Sequence, residues 1–243
     1  QSFFAVIDYV NRGIQEWVGV PRANLPPIYG TLGNRTYLSA YVAMIAPLVA
    51  TKELWWLLAI FFLASILCGS RGGLLAFMVG TAVAWPMSML VIGPLSFIAF
   101  LLMIYFGGSV FHLSDIRDTI HAHSTVWKLT ISGCFGWPQW LIGSGFGSFY
   151  KAGMKWVTNL KTSEGFVHAH NDLLQFYFEY GLIGYVAIGI FIYQLSPYLS
   201  IGNSLTGSLA AIAMASMFTF PHHVGPIAMT IAILTALLSR GAL

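Results

Sequence analysis

The chain alternates long apolar runs with short polar breaks, and its longest runs carry no Asp, Glu, Lys or Arg: none occurs between Arg71 and Asp115, or between Glu179 and Arg240. A membrane-spanning helix needs about 20 mostly apolar residues at about 1.5 Å of rise each. Residues 36–51 and 54–69, parted by Lys52 and Glu53, predict two such helices joined at a membrane surface, because nothing compensates either charge in lipid. The uncharged stretch 72–107 would reach about 54 Å as one helix, so it predicts two, with a turn bracketed by Pro86 and Pro94. Residues 181–239 divide into three near 182–199, 204–220 and 224–239, broken at Ser200–Asn203 and at Pro221-His222-His223. The pattern predicts an all-α, polytopic membrane helix bundle of about seven transmembrane helices.

Composition points the same way. The chain is 57% hydrophobic and 8% charged, with a mean hydropathy of +0.76, whereas globular chains are roughly 25% charged. A water-soluble monomer is excluded. The formal net charge of +3 and the lack of basic runs or Cys-x-x-Cys pairs argue against nucleic-acid binding and zinc ribbons. Cys68 and Cys134 predict no disulfide. The chain starts at Gln1 without the basic and apolar blocks of a signal peptide, and is expected to be a fragment or a processed chain.

Two polar regions interrupt the spans, giving segments 1–35, 36–107 with four spans, 108–180, and 181–243 with three. Residues 2–19 place Phe3, Ile7, Val10, Ile14 and Trp17 opposite Asp8, Asn11, Arg12, Gln15 and Glu16, which predicts an amphipathic helix on the bilayer surface or capping the polar region. Segment 108–180 forms one large loop. Counting spans returns 1–35, Arg71, 108–180 and the 221–223 turn to one side, so all seven histidines share one aqueous face. Basic residues in the short loops divide evenly, so the hydropathy does not say which side of the cell that face meets.

The densest polar constellation is His168-Ala-His170-Asn171-Asp172-Leu-Leu-Gln175, continuing to Glu179 and Gly181. On a helix, His168, Asp172, Gln175 and Glu179 would form one stripe, with Asn171 or Asp172 as N-cap and Gly181 as a break before the next span. Capping does not account for the two histidines. An imidazole titrating near neutrality is a ready proton acceptor, which makes His170, and secondarily His168, the candidate base. Arg71 precedes Gly72-Gly73 at a helix start, where bare backbone N–H groups beside a guanidinium would form an anion site fit for diphosphate; Arg35 opens its span in the same way. A snorkelling arginine at a span edge is the alternative. Gly143-Ser-Gly145-Phe-Gly147 lacks the context of a nucleotide loop and reads as a tight turn letting backbone approach a membrane surface or a phosphate. Three histidine pairs, 121/123, 168/170 and 222/223, raise a metal site, but His-x-His brings both rings to one face only on a strand, and no metal is expected.

In order along the chain, Gly-Thr-Leu-Gly-Asn-Arg-Thr-Tyr-Leu-Ser-Ala-Tyr at 30–41, Ser70-Arg71-Gly72, Trp127, Gly143-Ser-Gly145-Phe-Gly147, and His170-Asn171-Asp172-Leu-Leu with Glu179-Tyr-Gly181-Leu-Ile-Gly184 resemble the O-antigen ligase and O-antigen polymerase superfamily, with the related bacterial protein O-oligosaccharyltransferases. The resemblance covers roughly residues 28–240. It implies an enzyme of the bacterial cytoplasmic membrane with its large loop in the periplasm, acting without metal or cofactor. Such enzymes move a glycan from an undecaprenyl-diphosphate carrier to an acceptor hydroxyl on a glycolipid, a glycan or a protein, and take part in lipopolysaccharide and cell-envelope biosynthesis. Arg71 matches the family's span-edge arginine and His170 its loop histidine. On that basis Arg71 and Arg35 bind the diphosphate, His170 is the general base oriented by Asn171 or Glu179, and one in-line displacement inverts the anomeric carbon. Arg117, Trp127 and Gly145 complete the expected substrate contacts.

The chain departs from the family at several points. An arginine usually stands one helical turn before the tryptophan matched by Trp127, where this chain has His123 and Ser124. Asn-Pro-Asn is common where it reads Asn34-Arg35-Thr36, so Arg35 would supply the missing charge. The family usually has ten or more spans. Two competing readings follow: a non-catalytic module that binds or transports lipid-linked glycans, or a truncated relative, and a histidine-ligated membrane metalloenzyme.

Overall fold

A computed structural model describes residue 32 and residues 34–50, 54–105, 116–160 and 168–240. The amphipathic segment 2–19, the Lys52-Glu53 pair, His112 and the Arg117 side chain lie outside the described residues. Every regular element among those described is helical: α1 (Arg35–Ile45), α2 (Trp55–Leu67), α3 (Arg71–Ala84), α4 (Ile92–Tyr105), α5 (Ile116–Cys134), α6 (Gln139–Ile142), α7 (Ser148–Leu160), α8 (Asp172–Leu195), α9 (Ser204–Ser216) and α10 (Gly225–Ser239), with short 3-10 turns at 46–49, 86–90, 196–198 and 221–223.

Each of the seven apolar segments read from the sequence contains a helix, but most are short. Among the described residues one stretch, Asp172–Tyr198, is long and apolar enough to cross a membrane, although its helix is interrupted at Gly181. At 1.5 Å per residue, the 13 to 15 residues of α2, α3, α4, α9 and α10 reach only about 20–22 Å, short of the roughly 30 Å hydrocarbon layer. The expected seven spans are therefore met in helix position and not in helix length.

The chain divides into two compact units. Unit 1 comprises Gln1–Leu113, Leu199–Ala215 and Val224–Leu243; unit 2 comprises Ser114–Tyr198 and Ser216–His223.

Unit 1 packs its helices through small residues. A Cβ on Gly73 would collide with the Ser39 side chain, and one on Gly80 would meet Pro47, Gly207 and Ala211 within 3 Å. The pairing of 73 with 39 and of 80 with 47 makes α3 run parallel to α1 and its 3-10 extension, so Arg35 and Arg71 open neighbouring helices at the same end. Contact between Gly207 and both Gly80 and Ala84 makes α9 antiparallel to α3. Such close approach is how helices associate where water supplies no driving force between them. Ser39, Ser65, Thr81, Ser96 and Ser208 are fully buried, while Trp56 is 51% exposed, Phe97 58% and Met229 68%. Leu38, Leu74, Phe77 and Leu205 are fully buried beside those hydroxyls, so the unit carries apolar residues both inside and outside. Two buried hydroxyls bond within the unit: Thr81 Oγ1 donates to Phe77 O at 2.8 Å and Ser208 Oγ to Ser204 O at 3.1 Å.

Unit 2 is built on large rings. Phe149, Trp156 and Phe178 meet edge-on with centroids 5.6–5.9 Å apart, and Val126, Cys134 and Ala169 complete the core. Both cysteines are free and buried, and burial pushes the Cys134 thiol up to about 11. Asn171 caps α8 by accepting from Leu174 N at 2.9 Å, as its position predicts. The helix breaks at Gly181 (φ 61°, ψ −159°). A break strands the carbonyls before it, and the 143–147 turn supplies donors: Ser144 N to Phe178 O and Gly145 N to Glu179 O, both at 2.9 Å. The two glycines interlock. A Cβ on Gly143 would strike the Glu179 carbonyl, and one on Gly181 would strike Leu141 and Gly143 N.

Candidate functional site

Five of the seven histidines gather in unit 2, around the polar start of α8. The organising residue is Ala169, fully buried and held from both sides: its carbonyl accepts from Trp127 Nε1 at 3.0 Å, and its N–H donates to Gln175 Oε1 at 3.1 Å. With Ala169 fixed, the two histidines beside it turn to different neighbours. His168 stacks on Phe220 (centroids 4.1 Å, 24°) and lies 4.7 Å from His223. His170 stacks on His123 (5.1 Å, 21°) and meets Phe220 edge-on at 5.2 Å. His123 in turn lies one turn before Trp127 on α5, 5.9 Å from its ring.

The turn after α9 completes the cluster. Asp172, 7% exposed, accepts at Oδ2 from both the Nδ1 of His222 at 2.7 Å and the backbone N–H of His222 at 3.1 Å. Its other oxygen lies 3.4 Å from His223 Nε2. Ser216 Oγ is 3.3 Å from the same His222 nitrogen.

Burial and mutual proximity set the protonation of these rings. Desolvation, then the neighbouring His123 and His168, hold His170 down to about 4. His168 is also lowered, by desolvation first and His223 second, against the opposing pull of Gln175, Asp172 and Glu179; His123 is lowered by desolvation. These three rings are neutral at pH 7.

Several expectations change. His168 and His170 precede α8, so the expected stripe from His168 to Glu179 shortens to Asp172, Gln175 and Glu179, all buried on one face. His170 takes φ +53°, a left-handed backbone uncommon outside glycine, as it turns into the Asn171 cap. Its imidazole does not titrate near neutrality as expected, because packing removes the water that would stabilise the cation. Neither expected orienting residue bonds to it: Asn171 caps Leu174 N, and Glu179 Oε1 accepts from Gln175 Nε2 at 3.4 Å. Trp127 braces the backbone between the histidines through its indole N–H. The N–H of Gly145 is committed to Glu179 O and is not open to phosphate.

In unit 1, the expected bare N–H groups after Arg71 are partly capped, since Ser70 Oγ accepts from Gly73 N at 3.2 Å; Asn34 Oδ1 accepts from Thr36 N at 2.7 Å after the same fashion. Among the described residues no three His, Cys, Asp or Glu side chains converge as metal ligands.

Asp172 entered the sequence reading as a cap or stripe residue and His222 as a turn residue. Fifty positions separate them, and only the doubled histidine beside Pro221 hints that the turn carries chemistry. Compared with protein-family models, with curated proteins and with solved structures, the chain matches none.

Proposed function

We propose that the chain is a membrane glycosyltransferase that moves a glycan from an undecaprenyl-diphosphate carrier to an acceptor hydroxyl, in the manner of the O-antigen ligases and polymerases its motifs resemble. The observation that carries this reading is the imidazole cluster, anchored on a carboxylate, at the polar head of the long apolar stretch Asp172–Tyr198. That helix exposes Leu182, Ile183, Val186, Ile190 and Phe191, as a lipid-facing span does and a soluble core helix does not. The exposed apolar residues and fully buried hydroxyls of unit 1 support a bundle in the bacterial cytoplasmic membrane, its short helices reached by local thinning of the bilayer. The histidine face then meets the periplasm.

In this reading the parallel helix starts at Arg35 and Arg71 place two guanidiniums and two positive helix ends in unit 1, a setting suited to a diphosphate. Charge building on the leaving oxygen is stabilised there. The motif puts His170 forward as the base for the acceptor's proton.

A second reading, a module that binds or transports the lipid-linked glycan without turning it over, is favoured by His123 standing where the family has arginine, neutral and stacked on His170. Reconstitution in liposomes with an undecaprenyl-diphosphate glycan and each acceptor class, followed by mass spectrometry, separates the two. A transferase yields acceptor-linked glycan, and Arg71→Ala weakens donor retention. Donor retained with no product for any acceptor leaves the binding module.

A further inference from the structure

The residue best placed to accept a proton in this cluster is not the one the motif singles out. His170 has no hydrogen-bond partner among the described residues to fix its tautomer, and it packs between His123 and Phe220. His222 differs on every count. Its Nδ1 meets Asp172 Oδ2 at 2.7 Å, its backbone N–H is held by the same oxygen, and its side chain is 49% exposed. A buried carboxylate against Nδ1 favours the proton on that nitrogen and leaves Nε2 as the acceptor of a half-exposed ring. Pro221 and the Asp172 contact to the backbone fix the turn, so the ring is aimed before any substrate arrives.

Resting on the transferase reading above, we propose that His222 is the general base and Asp172 the residue that positions it. The acceptor O–H bond breaks and its proton passes to His222 Nε2. The oxygen's electron pair forms the new bond to the anomeric carbon as the bond from that carbon to the diphosphate oxygen breaks. The diphosphate leaves with the electron pair of the bond that breaks, and the imidazolium returns its proton to water. Among the described residues, His223, whose Nε2 lies 3.4 Å from the other Asp172 oxygen, and His168 beside it are further ionisable neighbours of the pair.

The assignment is tested in two ways on the full chain in lipid nanodiscs. Nitrogen-15 NMR of histidine-labelled protein is expected to show His222 as the Nδ1–H tautomer, and Asp172→Asn to change that signal; an Nε2–H tautomer for His222 in the unchanged protein overturns the proposal. In the transfer assay, His222→Ala is expected to lower kcat by 10²–10⁴ with the donor KM within about twofold, and added imidazole to restore part of the rate. His222→Asn retains a donor toward Asp172 but offers no base beyond it, so it guards against a folding defect and is expected to be equally slow. Asp172→Asn is expected to lower kcat and leave KM unchanged. Transfer by the unchanged protein that survives both His222 substitutions but is lost in His170→Ala overturns the proposal and leaves the transferase reading standing. Absence of transfer by the unchanged protein with every acceptor overturns both.

Discussion

The two units pack in different ways. Unit 1 sets serine, threonine, alanine and glycine among buried Leu38, Leu74 and Phe77 and leaves Trp56, Phe97 and Leu101 exposed, so its stability draws on backbones brought close together. Unit 2 buries three interlocked aromatic rings and three polar α8 side chains, Asp172, Gln175 and Glu179. A unit of the first kind tolerates no added bulk at its contacts. A unit of the second kind can hold polar groups in fixed orientations, because large rings wall them off and named hydrogen bonds satisfy them. Chemistry that needs an aimed imidazole belongs in the second.

Glycine substitutions break this contrast most sharply. Gly181 has a left-handed φ, and an added side chain would drive into Leu141 and Gly143 N, so Gly181→Val is expected to cost more than about 3 kcal/mol and to release the 143–147 turn. Thermal unfolding in detergent, with hydrogen exchange at Ser144 and Gly145, checks it.

Acid comes next, and it acts on unit 2. The folded state holds His170 at about 4, whereas an unfolded histidine takes its proton near 6.5. Between those values the unfolded chain binds more protons, so stability falls as pH drops from about 6.5 to about 4 and levels off below, by roughly 3 kcal/mol at most. His123 and His168 are lowered too and add in the same direction. His170→Asn, which tolerates the same backbone, is expected to flatten the slope in unfolding measured at pH 7, 5.5 and 4.

In unit 1, Gly80→Leu forces α3 away from α9 and Pro47 and is expected to cost about 1–3 kcal/mol, while Gly189→Ala, with open space around it, is expected to be neutral. Melting temperatures of the pair measure the difference. The smallest effect on stability is expected at Phe146, 84% exposed on the 143–147 turn: Phe146→Ser should change unfolding by less than about 0.5 kcal/mol yet weaken liposome binding, read by flotation.

What the sequence made legible was what one segment decides alone. The apolar runs, the Asn171 cap and the Gly181 break are local, and helices stand where the runs do. Helix length was misjudged because runs such as 72–107 spend residues on the 86–90 turn and on extended connections that hydropathy reads as span. In the site, the period of α8 gave Asp172, Gln175 and Glu179 one face correctly but carried that face back to His168, where Trp127 and Gln175 instead hold the chain in a non-helical turn. The glycine motif suits a tight turn approaching a membrane surface or a phosphate; its N–H groups instead serve a broken helix 34 residues away, an obligation created only by the fold. The pairing of Asp172 with His222 has no local signature at all.

Asp172 divides its two oxygens between two neighbouring rings, so one buried carboxylate tethers both histidines of the 221–223 turn to the head of α8. Loss of that single side chain would free two rings at once, and a change at residue 172 would be felt fifty positions away.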